Sequence, residues 1–186
     1  MRVCLLLITL VLAACENQPS RVDLFNPDQE DWVIGGDAEW SMIDGEIIGE
    51  LDSGSGFVMT KARFENFSLE LEFFPDSTVN SGIFVRCSNK ELSAEDCYEI
   101  NIWDLHPNQE WRTGAIVLRE SPIAHVNTLN QWNSYRIECD DWGIRAWVND
   151  QLTVELEDHS LTSGFIALQA AGTGKIRFRN VQLTPQ

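Results

Sequence analysis

Helical periodicity is nearly absent from this chain, and apolar–polar alternation runs through most of it. Leu69, Leu71 and Phe73 oppose Ser68, Glu70 and Glu72, and Tyr135, Ile137 and Cys139 oppose Arg136 and Glu138. Ala146 and Val148 oppose Arg145, Trp147 and Asn149, and Ile166 and Leu168 oppose Ala167 and Gln169. A period of two sends successive side chains to opposite faces, so these are strands with one face buried. Turn residues divide them: Asp44-Gly45, Asp140-Asp141-Trp142-Gly143, Asn149-Asp150-Gln151 and Ala171-Gly172-Thr173-Gly174. Short strands with no helix longer than a turn or two predict an all-β antiparallel sandwich or barrel. In the last strand Ile176 and Phe178 have one parity and Val181 and Leu183 the other, which predicts a bulge near Arg179-Asn180.

The first residues read as an address. Arg2 precedes the apolar run Leu5 to Leu12, too short for a permanent membrane helix and suited to a signal peptide over residues 1–14. Leu12-Ala13-Ala14-Cys15 resembles the lipobox of bacterial lipoproteins, in which cleavage precedes the cysteine and the cysteine is lipidated. The alternative is a chance cysteine at the end of an ordinary signal peptide. Glu16, rather than Asp, follows, and by the same resemblance this implies the outer membrane, periplasmic side. Residues 15–21 then form a lipidated tether and residues 22–186 one domain of a size that carries a real core. Loss of residues 1–14 removes one arginine and no acid, so the net charge moves from −16 to −17. Such a domain repels phosphates, which argues against nucleic acid and leaves neutral ligands such as sugars as compatible partners.

Export frames the remaining cysteines. Cys87 ends one alternating segment, Cys97 opens the next, and a polar loop lies between them. A bridge there suits an oxidising compartment; two free thiols are the alternative. Cys139 has the parity of Tyr135 and Ile137 and reads as a buried thiol. Trp40 and Trp132 are expected in the core.

Two segments carry more polarity than a plain sheet needs. In Asn80-Ser81-Gly82-Ile83-Phe84-Val85-Arg86, Asn80, Phe84 and Arg86 share parity, and Gly82 leaves a gap. In Tyr98-Glu99-Ile100-Asn101-Ile102-Trp103-Asp104, Glu99, Asn101 and Trp103 share parity. As neighbours they would gather an arginine, a carboxylate, amides and an indole, the equipment of a sugar site. Gln169 has the parity to face the same surface, and Trp103, Trp111 and Trp147 could stack on sugar rings. Residues 104–113, which include His106, form a polar loop suited to a rim.

The ordered set Asp23-Leu24-Phe25-Asn26, Trp40, Asp44-Gly45, the two segments above, Thr113-Gly114-Ala115-Ile116, Trp132-Asn133-x-Tyr135, Trp147-Val148-Asn149, Gly164-x-Ile166-x-Leu168-Gln169 and Phe178-Arg179-Asn180 resembles the 3-keto-disaccharide hydrolase family of the concanavalin/laminin-G-like group. The resemblance spans nearly all of residues 22–186. It implies a concanavalin-like jelly-roll β-sandwich of two antiparallel sheets, a site on the concave face, and cleavage of glycosides oxidised to a ketone at carbon 3. The chain has Asn101 where the family usually has Gln, Val117 where an aromatic is usual, Ala170 where a polar residue often His is common, and Asp150 in place of the turn glycine.

A ketone at carbon 3 acidifies the proton on carbon 2; its removal gives an enolate that expels the group on carbon 1, and water adds back. This requires a base and a donor or cation for the enolate oxygen. By parity and resemblance Glu99 is the base or a metal ligand, Arg86 the enolate stabiliser, and His106 or Asp104 a second acid–base group. Asn80, Asn101, Trp103, Trp147 and Gln169 would bind substrate. Each has a plainer reading: Arg86 and Glu99 as a structural ion pair, His106 as a solvated loop residue, Asp104 as a turn cap. Glu70 with Glu72, and Glu155 with Glu157, have glycosidase-like pairing but read as a solvated sheet face. Asp140, Asp141 and Asp158 could hold a divalent cation such as calcium as a cofactor, and no spacing demands it. The rival function is a non-catalytic carbohydrate-binding domain that uses the same face.

Overall fold

The computed structural model describes residues 20–26 and 31–186. The signal segment 1–14 and the lipidation site Cys15 lie outside the described residues. Thirteen strands are present among the described residues: β1 Val22–Asp23, β2 Trp32–Gly36, β3 Glu39–Ile43, β4 Glu46–Leu51, β5 Ser55–Thr60, β6 Phe67–Pro75, β7 Val79–Cys87, β8 Tyr98–Ile102, β9 Asn133–Asp140, β10 Gly143–Val148, β11 Gln151–Leu156, β12 Phe165–Gly172 and β13 Gly174–Pro185. A single 3-10 turn, Gln109–Trp111, interrupts the long β8–β9 connection.

The strands form two antiparallel sheets. The larger runs β11-β10-β9-β6-β13-β4-β3, with β1 added on β13, and the smaller runs β2-β5-β12-β7-β8. The alternation explains how they stack. Leu69, Leu71 and Phe73 of β6 and Tyr135 and Ile137 of β9 face Ile83 and Val85 of β7, Ile100 and Ile102 of β8 and Ile166 and Leu168 of β12 across one dry core. Each such side chain contributes about 1.5–3 kcal/mol by leaving water. The arrangement is the expected concanavalin-like sandwich.

The turns follow their residues. Asp44 and Gly45 take φ of 53° and 80°, and Asn149 and Asp150 take 50° and 63°, the left-handed pair that joins twisted antiparallel strands. The β13 register shifts between Arg179 and Gln182, with Asn180 at φ 54°, so the expected bulge lets both halves of β13 face the core.

The outer face of the larger sheet is a ladder of ion pairs. Arg177 grips Glu46 through Nε and Nη2 at 2.7 Å each, Arg179 reaches Glu72 at 2.8 Å, and Arg145 bridges Glu138 and Asp140. Trp147 belongs here, beneath the Arg136 guanidinium at 3.6 Å from its ring, so the expectation that it binds substrate with Glu99 is corrected: β10 lies in the other sheet. Trp132 is also outside the core, with Arg179 at 3.9 Å over its ring and Phe74 edge-on. Trp40 does pack on the core, partly buried.

Cys87 and Cys97 form a disulfide across ten residues, joining the end of β7 to the start of β8, and Cys139 is a buried free thiol. Closing a loop of that length restricts the unfolded chain by about 2–3 kcal/mol. The double variant C87S/C97S is expected to lose that much stability in equilibrium denaturation; an unchanged midpoint would show that the bridge contributes nothing.

Candidate active site

The outer face of the smaller sheet collects the polar residues. Register sets two rows across it: Phe57, Gln169, Gly82 and Asn101 in one, and Met59, Ala167, Phe84 and Glu99 in the next. Asn80 stands opposite Ala171 on the same face. Gly82 is the reason the rows communicate. A Cβ there would lie 3.3 Å from Glu99 Cγ and 3.3 Å from its Oε1, so the Glu99 side chain leans over the glycine toward Gln169.

Three side chains on this face, Asn80, Gln169 and Glu99, make no hydrogen bond to the rest of the described protein, and Asn80 Oδ1 and Gln169 Oε1 are buried as well. Buried polar atoms are normally paired, so an unpaired group of three marks a place built for something else. Burial beside Phe84 and Val117 pushes the Glu99 carboxyl up to about 7, and no cation among the described residues offsets it. By contrast, the outer face of the larger sheet has a cavity of about 420 Å3 lined by Glu70, Glu72 and Arg136, but these are spent on ion pairs with Arg21, Arg179 and Glu138.

Arg86 is not on the Glu99 face, which corrects its assignment as enolate stabiliser. Between Phe84 and Cys87, β7 carries an extra residue relative to β12, and Arg86 takes φ 54°. The bulge returns Cys87 to the outer side and turns Arg86 inward, where it is 2% exposed. Its guanidinium donates to the carbonyls of Glu65, Leu161 and Asp140 and to Asn66 Oδ1 at 2.9–3.3 Å. Gly164 makes room: a Cβ there would meet the Arg86 carbonyl carbon at 2.2 Å.

Other assignments are corrected in the same way. Asp104 is buried, accepts from Thr128 N at 2.6 Å and Thr128 Oγ1 at 3.0 Å, and has Arg112 at 3.7 Å, so it ties two loop segments together. Asn101 does share the Glu99 face, but its amide is spent on the Trp111 carbonyl and on Ile102 N–H, which pins the loop beside β8. His106 is half-exposed, its Nδ1 engaged with the Asn108 backbone and its ring edge-on to Trp103 at 4.5 Å. Trp103 and His106 therefore remain rim candidates, without contact to Glu99. Ala170 points into the core, away from the site. Among the described residues no group of three His, Cys, Asp or Glu could hold a metal ion. One contributor was not anticipated: Phe57, beside Gln169 on the outer face. The unbroken apolar run Phe57-Val58-Met59 was its signal, because a strand apolar on both sides has both faces in use.

A model of the 3-keto-alpha-glucoside-1,2-lyase-like domain matches residues 20–184. The chain belongs to that family. The solved structures agree in fold. A candidate glycosyl hydrolase from Parabacteroides distasonis superposes with a TM-score of 0.73 at 25% identity, over 90% of this chain and 100% of that one. The carbohydrate-binding module CBM66 from Bacillus subtilis gives 0.66 at 16% identity, over 83% and 95%. A Bacillus subtilis protein of unknown function with a galectin-like fold gives 0.62 at 14% identity, over 89% and 94%. No curated protein matches the chain.

Asn80 and Gln169 hold nothing together in the protein, so N80A and Q169A are expected to keep stability within about 0.5 kcal/mol while weakening a sugar ligand up to about tenfold in calorimetry. Arg86→Met should do the reverse, costing about 3 kcal/mol by stranding three carbonyls; sugar binding by the variant at low temperature, where it stays folded, should be retained.

Proposed function

We propose that this protein cleaves 3-keto glycosides by elimination and hydration at the outer face of the smaller sheet, with Glu99 as the base. The observation that carries the reading is Glu99 itself: a half-buried carboxyl that shares its face with two amides, none of the three having a partner among the described residues. Family membership supplies the reaction class, and the candidate glycosyl hydrolase among the structural neighbours supports it at the level of glycoside cleavage.

In this reading the Glu99 carboxylate takes the proton on carbon 2, which the neighbouring ketone acidifies. The electrons move into an enolate, the carbon 1–oxygen bond breaks, and the departing oxygen takes a proton. With Arg86, Asp104 and Asn101 engaged elsewhere, Glu99 is the group that returns that proton. Water then adds across the double bond, its hydroxyl to carbon 1 and a proton to carbon 2. The free amides of Gln169 and Asn80 offer acceptors to sugar hydroxyls and N–H donors to the enolate oxygen. A base near 7 is matched to neutral pH, strong enough to take a proton and weak enough to be ionised.

The reading extends to location. The lipobox resemblance supports a lipid anchor at Cys15 and a position at the cell envelope, on the periplasmic side of the outer membrane. The Cys87–Cys97 bridge supports an oxidising compartment.

A second reading, a carbohydrate-binding domain without turnover, is favoured by the lack, among the described residues, of a second acid–base group bonded to Glu99 and by the CBM66 neighbour. One assay separates the two. Wild type should convert a 3-keto disaccharide to its monosaccharides, with kcat/KM rising toward a plateau above about pH 7, and Glu99→Gln should lose at least about a hundredfold. Tight binding without conversion by wild type would leave only the second reading.

The same carboxyl fixes a stability trend. Its pKa is raised from 4.5 to about 7 on folding, so the folded state binds the proton more tightly than the unfolded chain between those values. Stability contributed by Glu99 therefore falls as pH rises through that window. Glu99→Gln should remove the fall, making the variant's melting temperature higher than that of wild type above pH 7.

A further inference from the structure

The row that holds Gln169 and Gly82 continues to an aromatic ring outside the main core, packed on a smaller apolar cluster of the outer face. Phe57 faces outward on β5, half-buried, opposite Gln169 on one side and Gly35 of β2 on the other. Its ring lies over Gly35, where a Cβ would come within 2.5 Å of Cζ. Any larger residue at position 35 would lift or tilt the ring. Beneath and beside it, Met59, Phe84 and Ala167 form a small buried apolar cluster with Val33 packed against it, so the ring rests on a firm base. Between Phe57 and the Glu99 carboxyl lie Gln169 of β12 and Gly82 of β7, the glycine covered by the Glu99 side chain. Glu99 leans over β7, and β7 and β5 are separated by two strand spacings, about 10 Å. That is the span of two linked pyranose rings.

Charge narrows the occupant. Glu99 is the only ionisable side chain that the five strands of this sheet present outward among the described residues. Two loop cations, Arg63 and Lys90, lie against the Phe165 ring at 5.0 and 5.7 Å. Nothing on the row itself would pair with a uronate or a phosphate.

We propose that Phe57, on its Gly35 seat, is the platform for the second ring of a neutral disaccharide whose reacting ring is held at Glu99, Gln169 and Asn80. A pyranose presents an apolar face of axial C–H groups, and a flat aromatic surface is its usual complement. The inference rests on Glu99 marking the reacting end.

The test compares two substrates of the same 3-keto sugar, a disaccharide and a methyl glycoside. In Phe57→Leu, which keeps the apolar bulk and loses the flat ring, the ratio of kcat/KM for disaccharide over methyl glycoside should fall about tenfold, mainly through KM. Gly35→Val, which displaces the ring without removing it, should lower the ratio in the same direction. An unchanged ratio in both variants overturns the platform. If wild type converts neither compound, calorimetry with the two compounds decides separately: a tenfold loss in Phe57→Leu confined to the disaccharide upholds the platform while the Glu99 reaction fails. An equal loss for both, or no binding of either, overturns the platform too.

Discussion

The Arg86 guanidinium joins parts of the molecule that share no strand pairing. It reaches from β7 in the smaller sheet to the end of β9 in the larger one, and to the segments that lead into β6 and β12. A buried charge is costly unless several acceptors surround it, and here three carbonyls and one amide oxygen do so. The bulge that aims Arg86 inward has a second consequence on the opposite side of the strand. It leaves Glu99 without a counter-charge, and an uncompensated carboxyl against Phe84 and Val117 holds its proton up to about 7. One backbone irregularity thus closes an end of the sandwich and keeps the Arg86 charge away from the Glu99 face.

The two outer faces divide the labour. On the larger sheet, charged side chains answer each other in cross-strand pairs and the tryptophans lie under arginines, so little is left to recognise a ligand. On the smaller sheet, two unpaired amides and a lone carboxyl leave unused hydrogen-bonding capacity. Cavity size draws attention to the larger sheet, whereas the cluster of unpaired amides lies on the smaller one. The loop after β8 supports this face from the side, because Asn101 and Asp104 hold it through Trp111 and Thr128.

Much of this was legible in the sequence because it depends on near neighbours. Alternation along β6, β9 and β12 named the core residues, the parity change in β13 named its bulge, and Cys87 and Cys97 bracketed a short loop that the disulfide closes. Glu99, Asn80 and Gln169 were placed on one face by counting in twos, and they do share it. Arg86 failed the same count. Nothing in Val85-Arg86-Cys87 signals an extra residue, since the bulge is stabilised by Glu65, Leu161 and Asp140, all distant in sequence. Trp147 failed for another reason: parity says which side of a strand a residue occupies, and not which sheet the strand joins.

The sequence by itself determined the strands, most of their buried faces, most turns and the family, because these follow from local periodicity, turn chemistry and residue order. Only the tertiary structure decided which polar residues remain unpaired. That depends on who stands opposite across two sheets, where carbonyls from segments remote in sequence take Arg86, a threonine takes Asp104, and no described side chain takes Glu99.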